Sequence, residues 1–274
     1  MAWQNLSLLR IVLLDLFLSI DIHRSTVNML VLLLIFATIH SGGAALRSKA
    51  EARIGPRMWR LLFATLSVSS ASIVIGYFLA HYHDGVCLWN LQESPISIVI
   101  TWIVTAISFV FLYPATYNLL EIPAILMPRI RLYGNGIIRV TRHPQAIGQI
   151  LWCLAHMIWI GSSFMLFTCI ALVGYHIFAT WHGDRRLMRD FGNAFAILKA
   201  NTSIIPFLAV FEGRQQFVFE EFLRPAQLGI ITTIGLFWWS HRFINTGSIA
   251  FLGSRFEGLL TWPVYSSTTS TFAG

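Results

Sequence analysis

Charge is what this chain has least of. Asp, Glu, Lys and Arg make up only 11% of its 274 residues, where a soluble domain carries about 25%. That shortage, with 56% hydrophobic residues and a mean hydropathy of +0.67, excludes a water-soluble globule. The apolar residues fall in long runs, so the chain reads as an all-α integral membrane protein. Cysteine is also scarce. Three residues, Cys87, Cys153 and Cys169, with no CxxC spacing, exclude a disulfide framework. No polar linker or internal repeat divides the sequence, which points to a single membrane domain. No cleavable signal or Ser/Arg-rich transit peptide precedes the first apolar run, as far as pattern alone shows.

Acidic residues are fewer than basic ones, 12 against 19. The excess of bases does not mark a nucleic-acid binder, because of where they sit. Fifteen of the 19 fall in three connections: Arg47 to Arg60, Arg129 to Arg142, and Arg185 to Arg224. The intervening connections, "HYHDGVCLWNLQESP" and the tight "WIGSSF", hold none. Bases gathered on one face set topology by the positive-inside rule and name no ligand.

A membrane-crossing helix needs about 20 mostly apolar residues. Stretches 27–46, 58–80, 96–120, 145–161 turning into 162–180, and 226–244 meet this, giving a bundle of about six transmembrane helices. The polar-flecked start, residues 1–26 with Arg10, Asp15, Asp21 and Arg24, reads as an interfacial amphipathic helix rather than a seventh span. Residues 27–245 form the membrane domain and 246–274 a low-complexity tail. The aromatic-rich connection 181–225 predicts a short helix over 184–199 followed by a structured loop.

Nine histidines need sorting. His23, His81, His83, His182 and His241 fall near span ends, where an imidazole serves as an interfacial polar tip. His156 is different. It lies about 18 Å into its helix at 1.5 Å per residue, where an ionisable group is costly without a function. Gln145, Gln149, Trp152, Cys153 and His156 share one helical stripe, and Cys153 precedes His156 by one turn. Gly148 and Ala155 flank the stripe. They allow either a flat ligand or a neighbouring helix to approach closely. His40, one helical face along from Gly43, Ala44 and Arg47, lies about 10 Å from the basic face on the first span. Two intramembrane histidines without a carboxylate cluster suit haem iron better than zinc or a di-iron centre. Cys153, nearer the level of His40, offers a second ligand choice. Arg139, Arg142 and His143 mark the membrane boundary, as a positive-inside anchor or as a contact for a propionate or other anion.

The motifs "HSGGAALR", "IGPRMWRLLFATLS", "TRHPQAIGQILWCLAH", "GDRRL" and "NTSIIPFLAVFEGRQ" occur in order between His40 and Pro225. Together they resemble the NnrU-like membrane proteins, and within them the branch that works in carotenoid biosynthesis. That resemblance implies a haem b enzyme, active in the ferrous state. It would convert the central 15-cis double bond of 9,15,9′-tri-cis-ζ-carotene to give the 9,9′-di-cis product. It places the haem-ligating histidines at His40 and His156, and a ligand that exchanges on redox change at Cys153. His182 stands where the family has Asn before "GDRR". The implied partners are a polyene carotenoid, an electron donor of unknown identity, membrane lipid and other carotenoid-pathway enzymes. The implied setting is a bacterial photosynthetic or plasma membrane, or a plastid membrane.

Two other readings stand beside it. The broader family includes haem membrane proteins associated with nitrogen-oxide metabolism and redox sensing. The stretch from "GIIRVTRHPQ" to "RRLMRDFG" also resembles isoprenylcysteine-type methyltransferases. The acidic pair of those enzymes is unmatched here, since this chain has "GDRRLMRDFG".

Overall fold

A computed structural model describes residues 23–120, 132, 134–222, 228–241 and 243, with side chains left out over 113–120. The expected interfacial segment up to residue 22 and the tail 246–274 lie outside the described residues. Among those described, all regular elements are helical, and one isolated bridge joins Cys87 to Ser162.

The first rod is α1 (Arg24–Ala37), a π-turn (Thr38–Gly42) and α2 (Gly43–Ile54) in unbroken succession. Gly55 ends it, and Pro56 at the first helical position starts α3 (Pro56–His81), where the missing N–H of proline costs nothing. Then come α4 (Pro95–Leu120), the single turn α5 (Ile137–Val140), α6 (Pro144–Ile160) and α7 (Ser163–Phe191). After these follow α8 (Asn193–Asn201), α9 (Leu208–Phe211), a 3₁₀ turn (Phe219–Phe222) and α10, residues 228–241. Among the described residues, four helical stretches are long and apolar enough to cross a membrane: Arg24–Ile54, Pro56–His81, Pro95–Leu112 and Ser163–Phe191. With only 17 residues, α6 spans about 25 Å.

The predicted helix over 184–199 is not a separate element. Residues 184–191 are the end of α7, and the chain turns at Gly192 before α8. No proline interrupts "TWHGDRRLMRDF", so the membrane helix runs on into the polar region. Among the described residues, the basic stretches 47–60, 139–142 and 185–214 gather at one end of the bundle; the connection 82–94 and the turn between α6 and α7 form the other.

Apolar burial gives little driving force in lipid, so fit and hydrogen bonds hold such a bundle. One core joins Met29, Leu33, Tyr77 and Phe164 from α1, α3 and α7. A second joins Cys153 and Ile160 of α6 to Met165 and Cys169 of α7. The most extensive helix pairing is α4 with α6. There Ser108 Oγ donates to the carbonyl of Gly148 at 2.7 Å. A Cβ on Gly148 would stand 2.6 Å from Leu112 Cγ and 2.8 Å from the Ser108 carbonyl oxygen. Of the two uses a small residue allows at this position, helix approach is the one realised. The outward faces are apolar, with Leu34, Leu66 and Ile96 at 68%, 56% and 72% exposure.

Candidate functional site

His40 occupies the middle of the π-turn. Such bulges concentrate at functional positions because the widened turn swings side chains off the α-helical register. Its Nδ1 lies 3.2 Å from Ser67 Oγ on α3, and its ring stacks on Phe36 at 5.4 Å and leans on Phe63 at 5.5 Å. The adjacent Ser41 hydroxyl meets Tyr175 of α7 at 3.1 Å. Next to Tyr175, His176 lies within electrostatic range of His40.

His156 has a different setting. Its Nδ1 lies 2.9 Å from the Trp152 carbonyl oxygen, one turn back, and its ring stacks on the Trp152 indole at 3.9 Å. A carbonyl can only accept, so the proton sits on Nδ1 and Nε2 keeps its lone pair, the tautomer a metal ligand requires. The ring faces His241 of α10 at 6.5 Å between centroids, and His241 in turn meets Trp102 of α4 edge-on at 5.4 Å. His241, expected as an interfacial tip, is a neighbour of His156. The signal was present in "LFWWSH", where a lone imidazole ends an apolar run.

Cys153 is 2% exposed and sits in the α6–α7 core. Gln149 Nε2 lies 3.9 Å from its sulfur, and Cys169 donates its thiol to the Cys153 carbonyl at 3.5 Å. The stripe is therefore split. Gln145 is exposed, Cys153 faces α7, and His156 meets His241 of α10.

The depths of the two expected axial histidines also differ. His156 is about 6 Å from the Ile160 end of α6. His40 contacts Ser67, about 21 Å from the His81 end of α3, and its neighbour Ser41 meets Tyr175, about 18 Å from Ser163. Counted along their own helices, the two positions differ by more than the roughly 8 Å anticipated from the sequence. Each imidazole is placed as a donor, His40 on the π-turn beside α3 and His156 on α6 beside α10.

Arg142 and His143 meet at a carboxylate that the sequence reading missed. Asp184 of α7 takes Arg142 Nη2 at 3.1 Å and His143 Nε2 at 2.7 Å, with Lys199 Nζ at 3.8 Å. Arg142 Nη1 also donates to the Thr202 carbonyl at 3.3 Å. The side chains of Arg142 and Asp184 are 9% and 10% exposed. An anion such as a propionate would have to compete with Asp184 here. One acid among bases in "GDRRLMR" was the available clue. Beside this knot, Arg139 grips Glu221 through Nε and Nη2, both at 2.9 Å, and Gln215 at 2.9 Å, tying the 212–222 connection to α5. Among the described residues no group of three or more His, Cys, Asp or Glu is arranged to hold a metal ion.

A helical bundle, four of whose described helical stretches are long and apolar enough to cross a membrane, with imidazoles held between helices, is the class these features define. The comparisons then narrow it: residues 28–247 match the NnrU protein family, and the chain belongs to that family. It is similar to the chloroplastic 15-cis-zeta-carotene isomerase of Arabidopsis thaliana, 46% identical over 216 residues, covering 77% of this chain and 59% of that protein. It is similar also to the chloroplastic 15-cis-zeta-carotene isomerase of Zea mays, 42% identical over 226 residues, covering 81% and 62%. The chain thus spans about three fifths of the length of the curated relatives it matches. No solved structure matches it.

Proposed function

We propose that this protein is a cis–trans isomerase acting on the central 15-cis double bond of 9,15,9′-tri-cis-ζ-carotene, releasing the 9,9′-di-cis isomer. The observation that carries this reading is the 46% identity to a 15-cis-zeta-carotene isomerase across most of the chain. The intramembrane site supports it, because a C40 polyene is wholly apolar and enters a site lined by rings such as Trp152, Trp159 and Phe36 from lipid. The relatives are chloroplastic, and a plastid or photosynthetic membrane is the proposed setting. We place α6 and α10 as the fifth and sixth spans, with the first residues as an interfacial helix.

Haem b, ferrous when active, is the proposed cofactor, on the family resemblance and the tautomer of His156. The same resemblance assigns His40 and His156 as its histidine ligands and Cys153 as the exchanging one; Arg142 and His143 are the proposed propionate contacts. The chain's own contribution is to hold an apolar site away from water and to present the His156 lone pair from a stacked ring. An electron donor and neighbouring carotenoid enzymes are the proposed partners.

The test is co-expression with phytoene-forming and phytoene-desaturating enzymes in darkness, followed by pigment chromatography. Conversion of the tri-cis to the 9,9′-di-cis isomer is expected. Unchanged tri-cis-ζ-carotene beside a Soret band in the purified protein would overturn the isomerase reading and favour a redox role. His156→Ala is expected to abolish conversion and reduce haem content; full retention of both would remove His156 from the site.

A further inference from the structure

Between α6 and α7, at the basic end, lies a cavity of about 660 Å³. One end of its wall is apolar: Ile147, Ile150, Ile177 and Trp181. The other end carries Arg185 and Lys199, with the Arg142–Asp184 pair behind them. Ile177 and Trp181 are 63% and 52% exposed, so the apolar end opens sideways to the surroundings of the bundle. The Arg185 guanidinium lies over the Trp181 ring, 4.8 Å from its centroid. Lys199 is half exposed and only loosely held by Asp184, at 3.8 Å.

The position of these groups along α7 selects the occupant. Trp181 lies about 27 Å from Ser163, and Arg185 about 33 Å. A hydrocarbon layer is about 30 Å thick. The apolar end of the cavity therefore faces acyl chains, and the cationic end faces the headgroup layer. Three cations, Arg142, Arg185 and Lys199, line the cavity with one carboxylate, Asp184, leaving the mouth positive. Asp184 already neutralises Arg142, so Arg185 and Lys199 are the charges available to a ligand. A second hollow, lined by Arg142, Lys199 and Arg214, continues the positive surface away from the membrane.

We propose that this cavity is a binding site for an anionic phospholipid, with an acyl chain along Ile150 and Ile177 and the headgroup phosphate between Arg185 and Lys199. A soluble anion would have no use for the apolar half, and an apolar molecule none for the cations. Basic pockets between helices at this level are where acidic headgroups are recognised. The cavity shares Arg142 with the proposed propionate contacts, but its lipid-reading charges, Arg185 and Lys199, lie outside that set.

The test uses the purified full chain in neutral detergent, titrated with brominated phosphatidylglycerol or brominated phosphatidylcholine, with quenching of tryptophan fluorescence as the readout. Phosphatidylglycerol is expected to bind at least about tenfold more tightly. The double substitution R185Q and K199Q, both at solvent-facing positions, should bring the two lipids within about threefold of each other. Ile177→Trp, which fills the apolar end without touching the charges, should weaken both lipids. Equal binding of the two lipids by the native chain would overturn the proposal. So would an unchanged preference in the double variant, or displacement of phosphatidylglycerol by inorganic phosphate alone.

Discussion

Two aspartates, one at each end of the bundle, show how differently one residue type is used. Asp184, at the basic end, has a 10% exposed side chain and is met by Arg142, His143 and Lys199. Asp84, at the other end, is 31% exposed and is met by His81 at 2.9 Å and His23 at 3.7 Å. One partner of Asp184 is a permanent cation in a bidentate-capable geometry. The ion-pair partners of Asp84 are imidazoles, charged only when protonated. The first aspartate thus fastens α6 to α7 at any ordinary pH, while the second joins the start of α1 to the end of α3 with a grip that depends on protons.

The largest effect should come from the basic end. Asp184→Ala leaves the Arg142 guanidinium buried and without its carboxylate, a loss of roughly 3–5 kcal/mol by precedent for broken buried pairs. Thermal unfolding in detergent should show a large fall in midpoint, or no folded protein should be recovered. A fall no greater than that of the Asp84 variant would erase the contrast.

Asp84→Asn should cost less, about 0.5–1 kcal/mol, because the pairs are exposed and screened. The backbone also holds this end without Asp84. Leu88 N–H donates to the Gly161 carbonyl at 2.7 Å, Ser163 N–H to Val86 at 2.8 Å, and Trp89 Nε1 to Ile158 at 3.1 Å. Gly161, at φ 62°, lets that strap lie flat, since a Cβ there would stand 2.1 Å from the Trp89 carbonyl oxygen. Measured in the same unfolding series, a midpoint drop matching Asp184→Ala would mean the strap contributes little.

The pH response sharpens the comparison further. Burial alone would push the Asp84 carboxyl up; hydrogen bonds from His81 and Ser25 and the charges of His81 and His23 outweigh it and hold the group below its ordinary value. A carboxyl depressed in the folded state stabilises above its unfolded value of about 4, and that stability is lost as pH falls through the lower folded value. The difference between the native chain and Asp84→Asn should therefore be present at about pH 5 and close as pH falls below about 4. A gap that instead persisted at pH 2 would show that the carboxylate charge is irrelevant there.

The smallest effect is expected from Arg189→Gln. Arg189 pairs with its neighbour Asp190 at 3.0 Å but is 63% exposed, and pairs of that kind contribute between nothing and about 1 kcal/mol. A midpoint shift comparable with either aspartate variant would mean that exposed charge matters as much as buried charge in this bundle.

Much of the architecture was legible in the residues. Apolar runs marked the helices, and "WIGSSF" marked the hairpin between α6 and α7. The bases marked one end, and His40, Cys153 and His156 stood out as polar groups without local cause. The π-turn at Thr38–Gly42 was not legible, because "TIHSG" contains no breaker and a π-bulge is set by how the rod meets α3 and α7. Nor was Asp184 as the partner of both Arg142 and His143, since its spacing from them along the chain carries no signal of contact.

Hydropathy, charge bias and helical period are properties of neighbouring residues. They determined on their own that this chain forms apolar helices with one basic end and a few polar groups inside them. Which polar groups meet depends on how the rods tilt, overlap and lie at different depths. Only the tertiary structure decided that His156 faces His241 rather than His40, that Cys153 turns toward Cys169, and that a cavity opens beside Trp181. Each of those outcomes rests on contacts between residues far apart in sequence, where local periodicity has no reach.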